Sequence, residues 1–161
     1  MSREIKSNDL GKKLEDDVKE VLLKRKADGV CMFWRLHTIR SWRGVSNPCD
    51  FIVLDKNYSA LIECKATIDD KFSCSKSSIR QMSHLTEAAK VNHEGLYGVL
   101  IYFYLGKDGC ESNYVFLSDK KIIENQEKHR PVRPECEDTY NLMDTSLSRL
   151  LEGLAELQLF V

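Results

Sequence analysis

Asn47-Pro48-Cys49-Asp50-Phe51-Ile52-Val53-Leu54, followed by Leu61-Ile62-Glu63-Cys64-Lys65, is the stretch that decides the fold. An acid opens one apolar strand. A second apolar run soon after carries an acid and a lysine two positions apart. Side chains alternate along a strand, so Glu63 and Lys65 face one way and Cys64 the other. Taken singly, Asp50 reads as a turn residue after Asn-Pro, and Glu63 with Lys65 reads as an edge ion pair. Yet Phe51, Ile52, Val53, Leu61 and Ile62 mark an inner hairpin, where charged residues are rare unless paired or metal-bound. Two carboxylates suit a hard divalent cation, and a lysine beside them can orient a water. That is the chemistry of phosphodiester hydrolysis.

Working outward, residues 9–27 read as a helix capped by Asn8 or Asp9, with Leu10, Leu14, Val18, Val21 and Leu22 on one stripe and Gly29 at its end. Residues 31–39 read as a first strand and Ser41 to Pro48 as a loop. Asp50–Leu54 and Tyr58–Ala66 form a hairpin around Asp55-Lys56-Asn57. Ile68 to Ser75 is a polar loop. Ser78 starts a second helix with Ile79, Met82, Leu85 or Thr86, and Ala89 at helical spacing, and Gly95 ends it. Leu96–Leu105 is a central strand buried on both faces. Gly106 to Gly109 turns into a last strand, Tyr114–Leu117. A short helix over Asp119–Gln126, a polar loop from Lys128 to Tyr140, and a helix capped by Thr145 complete the chain. Leu147, Leu150, Leu151, Leu154 and Leu157 line that last helix, as core packing or as a dimer face. This order predicts an α/β fold with a mixed central β-sheet flanked by helices.

The 161 residues read as one domain, with a core over about 9–118 and a C-terminal helical extension over 119–161. A hydrophobic content of 42% and a charged content of 30% are those of a soluble globular protein. No apolar run can cross a bilayer and no leader precedes the first helix, so a cytoplasmic protein is expected. The six cysteines, 31, 49, 64, 74, 110 and 136, have no zinc spacing and read as reduced thiols. Net charge is only -1, but no acid lies between Gly29 and Cys49 or between Lys71 and Arg80. Arg35, Arg40, Arg43, Lys71, Lys76 and Arg80 are therefore candidate phosphate contacts, with ordinary solvated charge as the equal alternative. Trp42 could stack at a branch point or simply pack.

Two further positions stay open on the residues alone. Glu15 and Asp17 both border the apolar stripe of the first helix. Gln81 fits a capping box, Ser78-Ile79-Arg80-Gln81. No Ser-His-Asp, Gly-x-Ser-x-Gly or P-loop pattern is present.

Pro48-Cys49-Asp50 with Glu63-Cys64-Lys65 resembles the PD-(D/E)xK nuclease motif, and the element order resembles the restriction-endonuclease-like core. Within that superfamily the chain looks most like RecU-type Holliday-junction resolvases, including phage-borne ones. Gly11-Lys12-Lys13-Leu14-Glu15 resembles the family's first-helix motif, which selects Glu15 over Asp17. Ile79-Arg80-Gln81-Met82-Ser83-His84-Leu85 resembles its glutamine helix, which places Gln81 near the active site. The stalk of RecU-type enzymes is missing; only Arg40 to Cys49 fills its place, a short loop that more closely resembles those of archaeal-type resolvases and of other superfamily nucleases. The resemblance implies Mg²⁺ or Mn²⁺ held by Asp50, Glu63, the Cys64 carbonyl and Glu15, with Lys65 orienting the attacking water. It further implies a homodimeric DNA endonuclease that cuts branched DNA in recombination, repair or phage DNA processing, leaving 5′-phosphate ends. A restriction or repair endonuclease and a non-catalytic nucleic-acid-binding protein of the same fold are the alternatives.

Overall fold

The computed structural model describes residues 7–37, 47–56, 58–104, 113–134 and 140–141. The elements run α1 (Ser7–Ala27), β1 (Cys31–Arg35), β2 (Phe51–Asp55), β3 (Ser59–Thr67), α2 (Met82–Val91), β4 (Leu96–Phe103), β5 (Asn113–Ser118), α3 (Asp119–Glu127) and β6 (Tyr140–Asn141). The strands lie in one sheet in chain order, β1 to β6. β3 and β4 are parallel, joined through α2, and every other neighbouring pair is antiparallel. The fold is thus the mixed α/β sheet that the sequence pattern predicts.

Alternation along the strands divides the core in two. Leu10, Leu14, Val18 and Leu22 of α1 pack on Phe51, Val53, Ile62, Cys64, Leu100 and Phe116. Ile79, Leu85, Ile122 and Val132 pack on the opposite face, against Val99, Ile101, Phe103, Val115 and Leu117. β4 feeds both layers, which is why its run is almost unbroken apolar. Gly29 closes α1 at φ 68°, with its N–H donating to Lys26 O and the Val30 N–H to Arg25 O. That is the left-handed C-terminal cap for which glycine is favoured. Gly98 is required for another reason: a Cβ there would stand 2.1 Å from the Leu117 carbonyl oxygen on β5.

Several expectations are corrected. β1 ends at Arg35, short of residue 39. α2 begins at Met82, not Ser78. Ser75 Oγ lies 2.9 Å from Ser77 Oγ and 2.8 Å from Ser78 Oγ, and Ser75 O accepts the N–H groups of Ser78 and Ile79, so the hydroxyls hold a turn before the helix. β5 is not the last strand, because β6 pairs with it. Beyond 118, Ser118 caps α3 by accepting the Lys121 N–H, Ile122 and Val132 are buried, and Val132 bridges Phe72. Asn57, the 106–109 turn and the leucine-bearing segment from 145 lie outside the described residues. So do Arg40, Trp42 and Arg43.

The four described cysteines, Cys31, Cys49, Cys64 and Cys74, are buried free thiols. Among the described residues no helix is long and apolar enough to cross a membrane.

Candidate active site

Asp50 sits one residue before β2, at the point where the β2–β3 ladder opens. Its N–H donates to Ile62 O at 3.1 Å, and its Oδ2 accepts the Cys64 N–H at 2.7 Å. Glu63 is only 2% exposed. It lies on the face that also carries Leu61, while Ile62 and Cys64 turn into the α1 layer. Lys65, two residues on, shares that face, and its Nζ is 2.8 Å from Glu63 Oε1. The pairing that alternation predicts is therefore made, inside the sheet rather than at its edge.

The electrostatics of the pair are unfavourable to two charges. Burial, and then the Asp50 charge, push the Glu63 carboxyl up to about 7. Burial likewise raises Asp50, with the Cys64 N–H opposing it and Glu15 adding to it. Each carboxyl opposes the ionisation of the other, as like charges in one buried site do. Burial also pushes the Cys49 thiol to about 12, so it is inert, its Sγ–H donating to Phe51 O at 3.2 Å.

Glu63 Oε2 is buried with no hydrogen-bond partner among the protein groups. An orphaned oxygen beside a second carboxyl fits a hard divalent cation, which would satisfy the oxygen and remove the repulsion. The fit rests on two acids only: among the described residues, no three His, Cys, Asp or Glu side chains converge closely enough to hold a metal ion. Glu15 is near enough to raise Asp50, but its Oε2 accepts Arg35 Nη2 at 2.7 Å and Arg35 Nε at 3.2 Å. Asp17, its rival on the stripe, is paired with Lys13 instead.

Gln81 precedes the first residue of α2 and makes no side-chain capping bond. Its Oε1 is buried without a partner, so the capping-box expectation is overturned. Among the candidate phosphate contacts, Lys71, Lys76 and Arg80 are exposed on the loop and turn leading to α2. Arg35 is different: it is committed to Glu15 and, through Nη1 at 2.7 Å, to Asp16. The sequence signal for this was weak, since the partners are twenty and nineteen positions away.

A groove of about 480 Å³ is lined by His84, Glu87, Ala88 and Val91 of α2 and by Ile52, Leu54 and Leu61 of the strands, and neither Asp50 nor Glu63 lines it. Met32, Trp34 and Leu54 are each about half exposed.

No protein-family model matches the sequence, and no curated protein matches it. Among solved structures, the chain is similar to Hjc, a Holliday junction resolvase from the archaeal hyperthermophile Archaeoglobus fulgidus, at 16% sequence identity and a TM-score of 0.48, over 84% of this chain and 96% of that one.

Proposed function

We propose that this chain is a divalent-cation-dependent DNA endonuclease of the PD-(D/E)xK kind, acting on branched DNA, with the four-way junction as its substrate. The observation that carries the reading is the buried Asp50–Glu63 pair, with Lys65 bound to one Glu63 oxygen and the other oxygen unpartnered. A sheet interior does not hold two adjacent carboxyls and an ammonium for packing alone.

Asp50, Glu63 and the Cys64 carbonyl would hold Mg²⁺ or Mn²⁺, with Glu15 bound directly or through water. Such a cation supplies charge neutralisation at the phosphodiester and a more acidic water. The chain's own groups do the rest. Asp50 is fixed by the Cys64 N–H, so its carboxyl cannot swing away from Glu63. Lys65 stands beside Glu63 on the same face, where its ammonium orients the attacking water and stabilises charge on the phosphate in the transition state. Lys71, Lys76 and Arg80 contact the DNA backbone, as would Arg40 and Arg43, with Trp42 stacking at the branch. Gln81 has an unpartnered carbonyl oxygen, which would be available to the reacting phosphate's water. Two symmetric cuts call for a two-fold dimer.

The test is a panel of four-way junctions, flaps and linear duplexes with Mg²⁺ or Mn²⁺, for wild type and Lys65→Ala. Junction cleavage by wild type alone, leaving 5′-phosphate ends, is the expected result. Equal cutting of linear duplex would make this a restriction- or repair-type nuclease, and binding without cutting a catalytically silent relative. No cutting and no binding would end the reading.

A further inference from the structure

Arg35 lies in an acid-free segment, yet it gives its hydrogen bonds to acids. Nε and Nη2 both reach Glu15 Oε2, and Nη1 reaches Asp16 Oδ1. The guanidinium side chain is only 16% exposed, against 31% for Glu15 and 52% for Asp16. Such a fork-shaped, charge-assisted arrangement fixes the carboxylate it holds more firmly than a lysine could. Its place in the sheet matters as much. Arg35 is paired opposite Phe51, and the next residue's N–H, from Leu36, donates to Asp50 O at 2.8 Å. The clamp is therefore one strand away from the first acid of the candidate active site.

Glu15 thus has two possible partners. One is the guanidinium that holds it now. The other is a cation at the Asp50–Glu63 pair, which lacks a third acid in this arrangement. Two N–H groups on Oε2 leave only Oε1 of this carboxylate for a metal, the bonds hold it in its present orientation, and a fixed positive charge nearby opposes a second one. Asp16 keeps hold of Nη1 if Glu15 leaves, so letting go of Glu15 would not strand the guanidinium.

We propose that Arg35 is a positioning residue that competes with the divalent cation for Glu15, making Glu15 a conditional ligand. This rests on the reading of Asp50 and Glu63 as a cation site. The latch sets the resting affinity of the site below what three acids would give.

The test is Mn²⁺ binding, followed by the spin-resonance signal of the free ion, for wild type, Arg35→Gln, Glu15→Gln and the double variant, all without DNA. Thermal melts establish that each is folded, and Arg35→Lys, which keeps the charge but not the fork, serves if Arg35→Gln is not. Arg35→Gln is expected to bind Mn²⁺ roughly tenfold more tightly than wild type. Glu15→Gln is expected to cost little when Arg35 is present and to remove the gain when it is absent. Arg35→Lys falls between wild type and Arg35→Gln. Equal costs of Glu15→Gln in both backgrounds, or no gain in either Arg35 variant, would overturn the latch while leaving the cation site standing. If none of the proteins binds Mn²⁺ at millimolar concentration, the cation site and the latch fall together.

Discussion

Two arginines tie α1 and the first strands together through carboxylates, one at each end of β1. Arg25, in the last turn of α1, bonds Asp55 at the end of β2, which is paired opposite Cys31. Arg35, at the other end of β1, bonds Glu15 and Asp16. The chemistry is the same and the surroundings are not. The Asp55 side chain is fully buried, beside Tyr58 and Cys31, and burial pushes both of those groups up. Glu15 is partly open to water and has Asp50 within electrostatic reach. A buried pair whose neighbours are neutral acts as a fixed rivet. A partly buried pair beside other carboxyls has competitors, and its bond is conditional.

The sharpest break in that comparison is catalytic. Lys65→Ala and Glu63→Gln should each lower junction cleavage about 10³-fold while the protein stays folded. Arg25→Gln should leave the turnover of the folded fraction unchanged, as measured by single-turnover cleavage.

Stability should show the reverse pattern. Asp55→Asn leaves the Arg25 charge buried and is expected to cost about 3–5 kcal/mol in urea unfolding. Arg35→Gln removes a more exposed pair and should cost no more than about 1 kcal/mol. Equal losses would mean that the two ends of β1 do the same work.

A third effect follows pH. The Glu63 carboxyl is pushed up to about 7 in the folded protein, above its ordinary value of 4.5. The folded state therefore keeps a proton that the unfolded chain releases, and metal-free stability should fall as pH rises from about 4.5 through 7. Glu63→Gln should flatten that fall in denaturant titrations at pH 5 and pH 8, and Mg²⁺ should offset it in wild type alone.

The smallest effects belong to the surface. Neutralising Lys71, Lys76 or Arg80 one at a time should weaken DNA binding and reduce the salt slope by about one for each phosphate no longer neutralised. Gln81→Ala should leave α2 helicity unchanged, since Gln81 does not cap the helix.

Much of this was legible in the chain. The α1 stripe, the Gly29 stop, the hairpin and the common face of Glu63 and Lys65 follow from periodicity, which depends only on near neighbours in sequence. What was missed depended on distant partners or on local competition. The Arg35 bonds cross from strand to helix and carry no spacing signal. The run Ser75, Ser77 and Ser78 offers hydroxyls that bond one another and the turn, so the apparent cap residue is spent before the helix begins. β6 is two residues long, too short for any alternation to show. The third-acid arrangement comes from family likeness, and the geometry instead gives Glu15 to Arg35.

Asp50 has one consequence for how its own variants behave. Its backbone and its carboxylate together take up the two rungs facing Ile62 and Cys64 where β2 has not yet begun. The acid is thus also the last peg of the hairpin, holding the alternation that turns Glu63 away from the α1 layer. A slip by one residue there would send Glu63 into that layer and Cys64 out of it. Asparagine keeps an acceptor for the Cys64 N–H and alanine does not. Asp50→Asn therefore isolates the lost charge, whereas Asp50→Ala also loosens the thread count of the sheet.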